Sequence, residues 1–220
     1  MVHHGRGVEA CTRLAVCPNR PWWLGAAENC AGPSSRKGTR LRENRSSALQ
    51  SEAFILLPDT VQDLDDFVCH PERYLVSLYA DPRRAAELWR ERSRRHPYGS
   101  EGLLRLSYRG RELIHPALWD EVSGVWFALV DCVQAYLGTG RGMTSFPGQP
   151  VDVEMRHDRA GAVFGVNGDR VLVDPTEFIP GLLDEAERYS RWVEEHIGTL
   201  DAPTAQQTGA LRQALAKHTR

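Results

Sequence analysis

At 220 residues, 41 % hydrophobic and formally −2, the chain has room for one large domain, or for one small domain with extensions. The near-neutral total is uneven: residues 1–50 come to +5, 51–100 to −2, 101–200 to −7 and 201–220 to +2. Lys37 and Lys217 are the only lysines, so residues 101–198 can supply no Schiff base, no pyridoxal phosphate anchor and no P-loop lysine.

Residues 1–50 keep no helical or strand period and are rich in Pro, Gly, Ser and Arg. Such a leader cannot bury enough apolar surface to offset its ordering entropy. The alternative is a start assigned upstream of the true one in a GC-rich bacterial reading frame, which the Arg-over-Lys bias also suggests. Leu14-Ala15-Val16-Cys17 resembles a lipoprotein cleavage box, but Thr12 and Arg13 stand where an apolar stretch belongs, and Trp22 to Ala27 is too short to span a membrane. The expected location is cytoplasmic. Cys11, Cys17, Cys30, Cys69 and Cys132 form an odd set without CxxC spacing. Neither a disulfide framework nor a metal site is expected of them, and Cys132 reads as a small buried hydrophobe.

Residues 51–100 read as a partly ordered extension. Phe54-Ile55-Leu56-Leu57 is an apolar run stopped by Pro58, Asp59 to Phe67 a short helix, and Glu72 to Tyr79 a strand or helical turn. Asp81-Pro82 opens a helix to about His96, with Asp as cap and Pro at the first helical position. Ala85, Leu88, Trp89 and Arg92 lie near one face of it, and six arginines outnumber Glu87 and Glu91. No second helix follows at helix-turn-helix spacing, so this is a solvated Arg-rich face rather than a nucleic-acid reader.

Residues 101–198 read as the compact domain. Leu104, Leu106 and Tyr108 alternate with Arg105, Ser107 and Arg109 as a half-buried strand, and Gly110 turns the chain toward Leu113-Ile114. A helix from Pro116 to about Leu137 has an apolar stripe so broad that it must be covered on more than one side, as a central helix or in a homodimer. Gly138 to Gly142 reads as a flexible C-terminal cap. A three-strand meander follows: Val151, Val153 and Met155, then Ala162, Phe164 and Val166, then Val171 and Val173, with an Asn167-Gly168 hairpin. Asp174-Pro175-Thr176-Glu177 is a capping sequence, Pro180-Gly181 interrupts, and regular helix runs from about Leu182 to His196. Residues 199–220 read as a flexible tail with a weak helix over Ala210 to Lys217. The fold class expected is α+β in two layers, the meander plus an N-terminal strand packed against two amphipathic helices.

Gly110-Arg111-Glu112-Leu113, then Trp119-Asp120-Glu121-Val122 with Trp126, then Phe146-Pro147-Gly148-Gln149-Pro150 resemble uncharacterised actinobacterial small α+β proteins over about residues 103–197. The resemblance implies a stand-alone bacterial domain of accessory or interaction type, and carries no cofactor or catalytic residue with it.

Two functional readings follow. The first is a non-catalytic interaction module, in its sharpest form an immunity- or antitoxin-like inhibitor that captures a basic protein through an acidic surface. Asp120, Glu121, Asp152 and Glu154 are its expected contacts, together with Val163 and Leu172, an apolar pair on the outer sheet face rimmed by acidic charge. The alternative is a small hydrolase or transferase using His157 with Asp152, Glu154 or Asp158. No cofactor, metal, membrane or nucleic-acid partner is expected.

Overall fold

The apolar run before Pro58 is the second half of a strand, β1 (Leu49–Leu56), whose first half alternates buried and exposed positions. A computed structural model describes residues 48–58, 60–96, 99–198 and 202–218, all within one compact unit. The expectations for residues 1–47, including Cys11, Cys17 and Cys30, lie outside the described residues.

β1 is a central strand. Its neighbours are β2 (Leu75–Ser77) and β3 (Glu101–Tyr108); β3 also pairs with β4 (Arg111–Glu112) and, at its beginning, with β5 (Asp120–Glu121). All pairings are antiparallel. Leu49, Ala53 and Ile55 face the main core. Phe54 and Leu56 face a smaller cluster with Phe67, Leu75 and Leu103, closed by the short helix α1 (Leu64–Cys69). Helix α2 (Pro82–Ser93) starts where Asp81 caps the Arg84 N–H and buries Ala85, Leu88 and Trp89, as its pattern predicts.

The described residues form five helices and two antiparallel sheets, five- and four-stranded, which is an α+β architecture. The expected layout needs correction on two points. The strand at Leu104–Tyr108 is β3, in the five-stranded sheet and not beside the meander. The meander, β7 (Asp152–Asp158), β8 (Gly161–Val166) and β9 (Asp169–Val173), gains a fourth strand, β6 (Arg141–Ser145), where a flexible cap was expected. Gly140, with φ +77, does cap the preceding helix, but Gly142 belongs to β6. A Cβ there would lie 1.9 Å from the Cys132 carbonyl oxygen, so the glycine permits the strand to press on the helix backbone. Gly142→Ala is expected to cost about 2–3 kcal/mol. Gly138→Ala, where nothing lies within 4 Å, should be neutral or slightly stabilising in the same thermal melts.

Helix α3 (Val122–Thr139) starts later than expected, because a 3₁₀ turn at Pro116–Leu118 and β5 occupy the first residues. It lies against β6 and β7, touches β3, and is flanked by α4 (Pro175–His196) and α5 (Ala202–His218). Its broad stripe is therefore used up within the chain, and Phe127 and Leu137 are its only exposed large apolar residues. The same packing accounts for its being long and apolar enough to span a membrane by length and composition. Cys132 is buried in this layer, its thiol pushed up to about 12 by burial, which fits a packing role.

α4 runs continuously through Pro180, which is exposed; its buried stripe of Phe178, Leu182, Leu183, Ala186, Tyr189 and Val193 outweighs the lost backbone bond. α5 is longer than the weak helix expected over 210–217, and its Thr204, Thr208 and Leu211 are buried. Asp174 caps α4, and Glu177 in the first turn accepts from the Tyr108 hydroxyl at 2.8 Å and from Arg109. These bonds hold the Glu177 carboxyl below the usual range, the Tyr108 hydroxyl contributing most. A depressed folded-state pKa gives stability that is complete above the unfolded value and lost as pH falls through the folded one. Melting scans from pH 6 to pH 3 should therefore show a smaller acid-induced drop for Glu177→Gln than for the wild type.

Candidate functional site

Asp120 occupies the position before Glu121, which caps α3 by accepting the Gly124 N–H at 2.6 Å. Its carboxylate is almost wholly buried and accepts the backbone N–H groups of Glu121 at 2.6 Å, Gly148 at 3.0 Å and Gln149 at 2.9 Å. The Gln149 side chain donates back to the Trp119 carbonyl. One buried carboxylate thus ties the Trp119–Glu121 segment to the loop at Phe146–Pro150. Those are two of the three segments that carried the actinobacterial resemblance. Gly148 is needed for the fit, since a Cβ would lie 2.7 Å from an Asp120 oxygen.

The docked segments form one wall of a cleft. Its opposite wall comes from the end of β1 and the end of α2. Arg92, on the apolar side of α2, is stitched in: it donates to the carbonyls of Glu101 at 2.9 Å and Leu56 at 2.8 Å, and pairs with the Glu101 carboxylate at 3.3 Å. The cleft has two lobes that share Arg92, His96, Glu101 and Trp119. The smaller, about 300 Å³, adds apolar surface from Leu56, Leu57, Pro58 and Val61. The larger, about 560 Å³, adds Asp120, Glu121, Gly148 and Gln149. Glu101 and Glu121 are register partners across β3 and β5 and both line the larger lobe, Glu101 paired with Arg92 and Glu121 capping α3. Trp119 is half-buried, edge-on to Phe67 with centroids 6.4 Å apart, and serves both the smaller core cluster and the cleft wall.

The six expected contacts therefore fall into two places. Asp120 and Glu121 belong to the cleft, Asp120 as a latch rather than a presented charge. Asp152, Glu154, Val163 and Leu172 lie on the outer face of the four-stranded sheet, opposite the buried set Val153, Met155, Ala162, Phe164 and Val173. No described element covers that face, and Leu172 is 52 % exposed. The expectation of an acidic rim needs correction. Glu154 is neutralised by an ion pair with Arg170, and Asp152 lies two residues further along β7 beside Ser145. The row that holds Val163 and Leu172 contains Arg141 and Arg156 instead.

The set His157, Asp152, Glu154 and Asp158 is not brought together. Successive side chains on β7 point to opposite faces, so His157 departs from the side of the three carboxylates. Asp158 holds the next turn by accepting the Ala160 N–H at 3.0 Å. Among the described residues no group of three or more His, Cys, Asp or Glu could hold a metal ion.

Glu101, Arg92, His96 and Gln149 were not expected at a site. Their signal in the sequence is thin: Glu101 precedes a predicted strand, and only the pairing of β3 with β5 sets it opposite Glu121. No family model matches the chain, and no curated protein and no solved structure matches it either.

Proposed function

We propose that the protein is a non-catalytic binding module of the bacterial cytoplasm that captures a basic segment of a protein partner in the Trp119 cleft. An immunity- or antitoxin-like inhibitor is the sharpest form of this reading. The observation that carries it is the opposed pair Glu101 and Glu121 on the rim of the larger lobe, beside an aromatic ring. Glu101 and Glu121 line that lobe above the buried Asp120 latch, and the guanidinium of Arg92 is already paired with Glu101. A lysine or arginine side chain entering it meets the carboxylates of Glu101 and Glu121 and the Trp119 side chain on the lobe wall. The apolar lobe next to it accepts the neighbouring side chain of the same segment. The surplus of acidic residues over 101–200 supports steered encounter with such a partner.

The test compares tagged wild type with Glu101→Lys in affinity capture from the native lysate, each variant first shown to melt normally. The expected result is a stoichiometric basic protein held by the wild type, released by added salt and absent from the variant. A partner retained equally by both would overturn the reading.

A further inference from the structure

Both backbone groups of a residue in an antiparallel strand point to the same side, and that side alternates along the chain. In β9 the Asn167-Gly168 turn fixes the parity. Its φ values are +51 and +85, so the closing pair Val166 and Asp169 exchanges both bonds. Val171 and Val173 bond β8 in the same way, opposite Phe164 and Ala162. Arg170 and Leu172 therefore aim their N–H and carbonyl groups away from the sheet. Among the described residues none of those groups has a partner, and β8 is the only strand paired with β9.

The other edges are shortened or blocked, as sheet edges usually are. β2, β4 and β5 are two or three residues long. Arg188 of α4 donates to the Ser51 carbonyl beside the unpaired half of β1. The Thr139 hydroxyl bonds both the N–H and the carbonyl of Arg141, where β6 begins. β9 has five residues, keeps register with β8 at every one, and carries no proline, lysine or bulge. Its one cationic side chain is drawn inward, since Arg170 reaches across Gly165 of β8 to pair with Glu154 of β7. Glycine clears that path: a Cβ at 165 would lie 3.0 Å from the Glu154 Cγ and 3.2 Å from the Arg170 Cγ.

We propose that β9 pairs antiparallel with β9 of a second copy of this chain across a two-fold axis, which joins two four-stranded sheets into one of eight. The outward residues dictate the register. With Val171 opposite its own counterpart, Arg170 exchanges both bonds with the partner's Leu172, and Leu172 with the partner's Arg170, so every outward group of both strands is satisfied. An axis at Arg170 would bring Gly168 of the turn into the ladder. An axis at Leu172 would bring in Asp174, whose N–H already goes to the Tyr108 hydroxyl. A second copy fits because it presents the same two residues in reverse order, which makes the contact isologous. No like charges meet, since Asp169 falls opposite the partner's Val173. Leu172, 52 % exposed, gains the partner's Leu172 as its diagonal neighbour on the outer face. The edge shares no residue with the cleft, so the proposal is independent of that reading.

The test is sedimentation equilibrium of the full chain across a concentration series, with amide-resolved hydrogen exchange at the same concentrations. The mass is expected to rise from 24.7 kDa towards twice that value. Exchange at Arg170 and Leu172 should slow as the dimer fills, while Asp169, Val171 and Val173, already bonded to β8, stay as they were. Leu172→Pro removes an outward N–H and no bond within the protomer. Leu172→Lys keeps the backbone and sets an ammonium opposite the partner's Arg170. Each should weaken self-association tenfold or more while melting close to the wild type at low concentration. Met143→Ser, at an exposed apolar position on β6 away from this edge, should leave it unchanged. A chain that stays at 24.7 kDa at its highest soluble concentration would overturn the proposal. So would a dimer that both Leu172 variants leave intact, or one whose Arg170 and Leu172 amides exchange as in the monomer. Equal weakening by Met143→Ser would overturn it as well, by assigning the contact to the open sheet face.

Discussion

Asp120→Ala is expected to lower stability by about 2–4 kcal/mol and to detach the Phe146–Pro150 loop from the start of α3. The carboxylate is the shared acceptor for three backbone N–H groups from two segments, and charge-assisted bonds of this kind are stronger than neutral ones. Alanine leaves the Gly148 and Gln149 N–H groups without their protein acceptor, in an exposed to half-buried loop where water replaces part of the loss. Each such orphan costs about 1–3 kcal/mol, partly recovered if the loop swings out to solvent. For a chain of this length the change corresponds to a melting point lower by about 4–16 °C. The diagnostic readout is local: amide exchange at Gly148 and Gln149 should accelerate far more than exchange in β7 or β8. Uniform acceleration would mean that Asp120 is only a global stabiliser.

Trp126→Ala is expected to be costlier still, about 3–5 kcal/mol. The ring is completely buried in α3 and packs against Tyr189 of α4 at a centroid distance of 6.1 Å. Its indole N–H has no hydrogen-bond partner among the described residues, so it adds no bond to the balance and the loss is one of packing. It follows that Trp126→Phe, which keeps most of the ring, should cost well under half as much. A phenylalanine variant as damaged as the alanine one would show that the nitrogen matters and that a bond through water holds it. Trp126→Ala also reaches the cleft indirectly. Tyr189 bonds Ser123 at 2.8 Å, and Ser123 bonds Ser100 at 3.1 Å, next to Glu101.

The parts of this fold that could be read from the sequence are those where one local signal suffices. Asn167-Gly168 takes positive φ at both residues, as a two-residue hairpin demands, and Asp81-Pro82 and Asp174-Pro175 both open helices. The broad apolar stripe of α3 announced a helix covered on several sides. What escaped was set by distant partners. β6 has a glycine where a strand usually carries a side chain, and its reason is the Cys132 carbonyl, visible only after folding. β1 seemed a minor apolar run because only its second half is apolar, yet it pairs with β3 along seven residues. α5 shows little amphipathic contrast, since its buried groups include Thr204 and Thr208.

The site divides in the same way. Trp119-Asp120-Glu121 and the Phe146–Pro150 loop stand out in the sequence, but nothing in it reveals that Asp120 joins them. Acidic composition over 101–200 suggested a charged docking face, whereas much of that charge is engaged locally: Glu121 and Asp174 cap helices, and Glu101, Glu112, Glu154, Glu177 and Asp184 meet arginines. Counting residues cannot distinguish a presented carboxylate from an engaged one. The opposed pairs Glu101 with Glu121 and Arg141 with Arg156 are likewise products of register, separated in sequence by 20 and 15 positions respectively.

Binding in the Trp119 cleft is read out by hydrogen exchange on the protein with its captured basic partner bound, compared with the free protein at the same salt. Slowed exchange is expected at Glu101, Trp119 to Glu121 and Gly148 to Gln149, the backbone that lines the larger lobe, with little change along β8 and β9. Protection confined to the four-stranded sheet, with the cleft backbone exchanging as in the free protein, would contradict it.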